Sequence, residues 1–284
     1  MARSKRVVRR HTKISEKERR PYLFWSIVIP VLLVSLFAVW HYRKGIQYYL
    51  KSLVESSPYT STEQNKHDAR NVFLMSQHED YAFGVDVSHY QGDIEWDSVH
   101  LINDQFPVDF VFVRATMGIA GKDKKFKRNW TALQQRSKIR GAYHYFRPNE
   151  NSLKQADNFI KTVKLAPGDL PPVLDIEERP RSQSMDSLKV GLKRWLDRVE
   201  RHYKVRPIVY SGDSYFTDFL EREFKDYTLW IANYNFWIEK PKKHWDFWQF
   251  SERGTVKGIP GFVDLNMYKG NIESLEAHGI PFDQ

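Results

Sequence analysis

From Tyr81 onward the chain is written as short apolar runs, each closed by polar or turn-forming residues. Eight of them have the length and composition of strands: 83–88, 109–115, 139–146, 172–177, 207–211, 228–233, 245–250 and 262–267. Amphipathic stretches separate the earlier ones, with helical spacing near 94–103, 124–137, 152–163, 186–203 and 215–223. The fourth is the clearest. Met185, Leu188, Leu192, Trp195, Leu196, Val199 and Tyr203 form one apolar stripe, and Ser184 is placed to cap it. After the sixth run the gaps shrink and hold Pro241, Gly258 and Pro260, too short and broken for crossover helices. The order is five β–α units followed by three strands joined by loops. Such alternation predicts an α/β fold with a mainly parallel sheet, closed as a barrel.

What precedes this pattern is different in kind. Residues 1–20 hold nine Lys/Arg and two Glu, which takes most of the formal net charge of +9 and leaves the rest of the chain near neutral. A nucleic-acid partner would have only this tail to bind, and none is expected. Residues 22–40 then run without a charge. As a helix they reach about 28 Å, close to the ~30 Å hydrocarbon core of a bilayer. Tyr22, Trp25, Trp40 and Tyr42 sit near the ends, where interfacial aromatics gather. A cleaved signal peptide is the rival reading, but the run is long and Ala38-Val39-Trp40 is a poor cleavage site. The expectation is a basic cytoplasmic tail, 1–20, and a single transmembrane signal-anchor helix, 21–42. Everything after Trp40 then lies on the periplasmic or extracellular side of the cytoplasmic membrane. Ile46, Tyr49, Leu50, Leu53 and Val54 keep a helical spacing, as a short stalk would. Residues 59–80 read as a linker, so that 43–80 lifts the main domain, 81–284, off the bilayer. Zero cysteines exclude disulfides, thiolate nucleophiles and thiolate metal sites.

The chemistry centres on Pro171-Pro172-Val173-Leu174-Asp175-Ile176-Glu177, an apolar run ending in two carboxylates on one strand face. Close like charges raise one pKa, and a raised carboxylic acid beside an ionised carboxylate is what an acid-catalysed hydrolase needs. A strand end whose acids are solvated or paired with arginine would look the same. The construction recurs, though: Asp86 with Ser88, and Asp264 with Asn266, each after an apolar stretch. Three such ends point to one acidic cleft at a barrel mouth. Three Asp and one Glu could hold a hard cation, but neither an acidic Ca²⁺ loop nor a His cluster accompanies them, so no metal or cofactor is expected. Ser/His/Asp catalysis lacks a nucleophile elbow, and Ser88 reads better as a partner of Asp86. Glycoside hydrolysis fits, with one acid for the leaving oxygen and a carboxylate at the sugar carbon. Tyr90, Tyr143, Tyr145, Tyr210, Trp230, Tyr234 and Trp248 offer faces for sugar stacking at the same strand ends, although each alone also suits core packing.

Asp86-Val87-Ser88-His89-Tyr90-Gln91-Gly92 resembles the opening Asp-x-Ser-x-x-Gln-Gly signature of the family 25 glycoside hydrolases, the Chalaropsis-type lysozymes. Gly141-Ala142-Tyr143-His144-Tyr145-Phe146, Leu174-Asp175-Ile176-Glu177, Pro207-Ile208-Val209-Tyr210-Ser211-Gly212, Leu229-Trp230-Ile231-Ala232, Trp248-Gln249-Phe250 and Val263-Asp264-Leu265-Asn266 follow in the family's order. The resemblance covers about residues 82–270. It implies an irregular TIM-like (β/α)5(β)3 barrel and N-acetylmuramidase activity on peptidoglycan glycan strands. It implies Glu177 as general acid, with Asp175, Asp86 and Asp264 as carboxylates that stabilise charge and position the sugar. Ser88, Gln91, Tyr143, Tyr145, Tyr210, Trp230, Tyr234, Gln249 and Asn266 would meet the substrate. The second step could use an enzyme carboxylate or the substrate's own 2-acetamido group, which Asp175 would then orient. One departure is Ala115-Thr116-Met117-Gly118, where many members have Lys-Ala-Thr-Glu-Gly: Arg114 keeps a positive charge, but Met117 removes an acid. The rival from another class is a catalytically inactive, membrane-anchored wall-binding or scaffold protein, against which the four intact acids weigh.

Overall fold

The computed structural model describes residues 16–54 and 62–281. All eight apolar runs pair. The strands are β1 (Ala82–Val87), β2 (Phe110–Met117), β3 (Ile139–Tyr145), β4 (Val173–Asp175), β5 (Ile208–Gly212), β6 (Thr228–Ala232), β7 (Phe247–Gly254) and β8 (Val263–Tyr268). They lie in the order β1-β8-β7-β6-β5-β4-β3-β2, and β2 pairs back with β1 to close the barrel. Neighbours are parallel except at β8, which runs against both β1 and β7. The short β7–β8 link permits a hairpin but no crossover, and this reverses the last strand.

Three helices precede the barrel: α1 (Glu16–His41), α2 (Arg43–Val54) and α3 (Thr62–Ser76). Three more connect its strands: α4 (Phe126–Gln135), α5 (Ser152–Thr162) and α6 (Met185–Tyr203). In α6 the apolar stripe is buried against the barrel as its spacing predicts, and the Ser184 hydroxyl accepts a hydrogen bond from the Ser187 N–H at 3.1 Å. The barrel interior is filled with rings. Phe112 stacks on Trp230 at 4.3 Å between centroids, Phe247 meets Phe110 and Phe112 edge-on, and Tyr143 and Tyr210 meet Trp230 edge-on. Room for this plug is made by glycine: a Cβ on Gly84 would sit 2.5 Å from the Phe110 ring.

Two connections differ from expectation. Residues 94–103 form no α-helix; they hold a 3₁₀ turn, Trp96–Ser98, and one arm of a two-residue ladder, Leu101–Ile102 against Phe106–Pro107. Asn103 and Asp104 adopt φ of 48° and 56°, the left-handed conformation a tight hairpin turn requires, and that ends any helix. Ile94, Trp96, Val99 and Ile102 are all buried, so their helix-like spacing serves an irregular segment lying on the core. The expected helix 215–223 is instead a broken one: Asp213–Tyr215, a π-helical turn Phe216–Leu220, and Glu221–Phe224.

Among the described residues α1 is the one helix long and apolar enough to cross a membrane, and its stretch Phe24–His41 is not buried by the protein. Residues 59–80, expected as a linker, hold α3. Arg70 donates to the Phe250 and Asn235 carbonyls at 3.0 and 2.9 Å, and the Asn71 amide donates to the Arg253 carbonyl at 3.2 Å, which docks α3 beside β7. Gly45 of α2 lies against Ala69 of α3. His41 Nε2 and the Tyr42 hydroxyl both reach the Glu239 carboxylate at 3.0 Å, tying the end of α1 to the β6–β7 connection. Residues 1–15 of the expected basic tail, 55–61 of the expected stalk and linker, and 282–284 lie outside the described residues.

Candidate active site

At one end of the barrel β1 to β7 finish and β8 begins, around a cavity of about 700 Å³. Asp86 of β1, Asp175 at the end of β4, Glu177 two residues beyond and Asp264 of β8 all line it, so the predicted convergence of four acids is found. Asp264 arrives differently from expectation. It sits at the start of its strand, because β8 is reversed, and it is the direct ladder partner of Asp86.

Their surroundings set them apart. Asp86 Oδ2 accepts hydrogen bonds from Gln249 Nε2 at 2.7 Å and Asn266 Nδ2 at 2.8 Å. Gln249 Oε1 accepts in turn from the Tyr210 and Tyr234 hydroxyls, and Asn266 Oδ1 from Trp230 Nε1 at 2.8 Å, so the network holds the floor rings and the acid together. Burial still pushes Asp86 up to about 6, because two donors offset only part of the desolvation. Asp264 has no hydrogen-bond donor among the described residues; burial, followed by the Asp86 charge, pushes it up to about 9. Burial and the charge of Glu177 hold Asp175 well above the carboxylate range. Asp175 Oδ1 is buried without a hydrogen-bond partner. Glu177 stands open to the cavity, yet the crowding around it desolvates the carboxyl enough to raise its pKa as well. The four cannot all be ionised at neutral pH, and the site therefore stores protons next to an open space.

Tyr143, Tyr145, Tyr210, Trp230, Tyr234 and Gln249 line the cavity. Asn266 is buried behind the wall, acting through Asp86. Ser88 and Gln91 do not reach the cavity. They close a capping box on the 3₁₀ turn His89–Gln91: the Ser88 hydroxyl accepts from the Tyr90 N–H at 3.3 Å, and the Ser88 N–H donates to Gln91 Oε1 at 2.9 Å. Ser88 is thus no partner of Asp86, whose donors are Gln249 and Asn266. Trp248 is fully buried and donates to the Asn233 carbonyl at 2.9 Å, a core residue. Tyr90 lines the rim with the Arg114 guanidinium 5.0 Å from its ring centroid. Residues the sequence did not single out also contribute: Arg147, Asn149 and Glu150 after β3, Glu178 and Arg181 after β4, and Glu252 of β7. Glu178 accepts from the Tyr145 hydroxyl at 2.8 Å, and Arg147 lies 3.4 Å from the Met117 sulfur.

Comparison with known proteins agrees with this geometry. The chain is 38% identical over 198 residues to the uncharacterized protein YegX of Escherichia coli K12, covering 68% of this chain and 72% of that one. It is 33% identical over 211 residues to lysozyme M1 of Streptomyces globisporus, covering 68% and 70%. It is similar to the solved structure of a family 25 glycosyl hydrolase from Bacillus anthracis, with a TM-score of 0.64 at 29% identity over 72% of this chain and 95% of that one. Residues 85–259 match the model of glycosyl hydrolases family 25. That match takes in Asp86, Asp175 and Glu177, with Asp264 just beyond it on the closing strand, and the chain belongs to glycosyl hydrolase family 25.

Proposed function

We propose that the chain is a membrane-anchored lysozyme, an N-acetylmuramidase that cuts the β-1,4 bond between N-acetylmuramic acid and N-acetylglucosamine in peptidoglycan. The observation that carries this reading is the Asp175–Glu177 pair, one acid open to the cavity and the other buried behind it with an unpartnered oxygen. Two carboxyls so coupled share one proton. A sugar with a 2-acetamido group brings an amide N–H. Donated to Asp175, it stabilises that carboxylate and leaves the shared proton on Glu177. Glu177 gives the proton to the glycosidic oxygen as the bond to the anomeric carbon breaks. The acetamido carbonyl oxygen closes on that carbon from the opposite face, forming a cyclic intermediate. Water then opens it, its proton passing to the Glu177 carboxylate, and the anomeric configuration is retained. Asp86, the acid that ionises nearer neutral pH, supplies negative potential for the charge that develops on the ring, while Asp264 keeps its proton beside it. Trp230, Tyr143 and Tyr210 offer the ring a floor.

Similarity to lysozyme M1 supports the substrate class. Anchoring is supported by α1, whose apolar length suits a bilayer. Basic residues ahead of it favour a single pass with the N-terminus in the cytoplasm and the barrel outside the cytoplasmic membrane.

The test is to incubate the full chain, in detergent, with purified peptidoglycan and to identify the new reducing ends by mass spectrometry. N-acetylmuramic acid is expected at those ends, and Glu177→Gln is expected to lower the rate by about 10²–10⁴-fold. Reducing-end N-acetylglucosamine would refute the bond assignment. Wall binding without release of any glycan would refute the activity.

A further inference from the structure

Where α1 ends, the protein leaves an apolar surface uncovered. One face of α2 packs on α3 through Gly45. The other carries Ile46, Leu50 and Leu53, at helical spacing and exposed. Beside it, in the β6–β7 connection, Phe236 and Trp237 are 61% and 81% exposed, and no large hydrophobic side chain among the described residues is more exposed than Trp237. Tyr42, Ile46, Leu50, Phe73, Phe236 and Trp237 line one groove of about 370 Å³.

Three observations decide what fits there. The first is height. Glu239, two residues after Trp237, holds both His41 and Tyr42 at 3.0 Å, so the exposed aromatics sit level with the end of the apolar helix. The second is that the charged side chains of the groove are each already engaged. Glu239 is taken by His41 and Tyr42, Arg70 by the Phe250 and Asn235 carbonyls, and Lys66 by Glu63 at 2.7 Å, which leaves an apolar lining. The third is charge: Arg43 and Lys44 of α2, and Lys240 and Lys243 of the β6–β7 connection, are exposed on the same two segments that carry the apolar side chains.

We propose that this patch is a second membrane contact, which rests on the reading of α1 as a membrane anchor. The outer face of α2 and the Phe236–Trp237 tip lie in the interfacial layer of the bilayer that α1 crosses, and the cations meet anionic phospholipid headgroups. Tryptophan and phenylalanine beside lysine are the side chains that interface favours. With α1 and this patch both in the bilayer, the barrel's cavity keeps a fixed aspect toward the membrane.

The sequence contains no cysteine, so single cysteines can be labelled cleanly in the full chain. Trp237→Cys, Leu33→Cys in α1 and Val190→Cys on the solvent face of α6 would each carry an NBD fluorophore, in vesicles of phosphatidylethanolamine and phosphatidylglycerol. Doxyl-labelled phospholipid is then added as quencher. At least a two-fold loss of emission is expected at 33 and at 237, with little change at 190. Quenching at 33 but not at 237 overturns the second contact and leaves the anchor standing. Quenching at neither overturns the anchor and the contact together. Equal quenching at 237 and 190 overturns a specific contact. A label at 237 that ignores lipid but responds to soluble peptidoglycan fragments assigns the patch to glycan instead.

Discussion

Asp86 and Asp264 face each other in one ladder, yet they hold protons with different strength, near 6 and near 9. Asp86 has two amide donors that Asp264 lacks, and Asp264 in addition feels the charge of Asp86. A carboxyl whose pKa rises on folding stabilises the fold fully below its unfolded value and loses that contribution as pH climbs to its folded value. For Asp264 that window runs from 3.8 to about 9. Asp264→Asn is therefore expected to melt like the parent near pH 4 and to be more stable near pH 8, by about 1–3 kcal/mol. Thermal melts at the two pH values check this, and a gain of equal size at both would show that charge is not its source. The acids themselves were legible because alternation along a strand sets each one's face without knowledge of its neighbours. Ser88 and Gln91 were misread although Ser88-His89-Tyr90-Gln91 carries the spacing of a capping box, a local signal that competes with the family signature at the same residues. Arg147, Glu178 and Arg181 had no local signal, since loop paths bring them to the cavity.

Elements were legible where their burial pattern follows from hydropathy. The eight strands and α4 to α6 are such cases. Strand direction is not a property of period, so the reversal of β8 lay in the length of its link. In α3 as far as Asn71 the pattern is inverted: Gln64, Asn65, Asp68 and Asn71 are buried, several of them bonded to the β7 region, and a polar buried face reads as linker. Another polar contact holds β3 in place. The Arg140 guanidinium pairs with Asp169 through Nε at 2.7 Å and Nη2 at 3.1 Å, donates to the Trp130 carbonyl and lies 3.9 Å from the Trp130 ring centroid. Both partners are buried. Arg140→Met is expected to strand the Asp169 charge and cost about 3–5 kcal/mol, seen as an earlier denaturant midpoint. Adding Asp169→Asn should recover part of the loss; no recovery would assign the damage to packing on Trp130.

For the molecule as a whole, the charge-free run at 22–40 and the basic residues before it set the expected topology. A reporter active only outside the cytoplasm, fused after residue 80, should be active, and the full chain should stay in the membrane pellet through alkaline carbonate extraction. Activity only from a reporter that works in the cytoplasm would reverse the orientation. The barrel's closure has a consequence in time. Asp86 comes from the first strand and Asp264 from the last, and the two are paired across the seam. A chain in which β8 has not yet seated has three of the four acids around a hollow that is still open on one side. The cutting tool is completed only when its closing hairpin seats, so the last step of assembly is also the step that arms it.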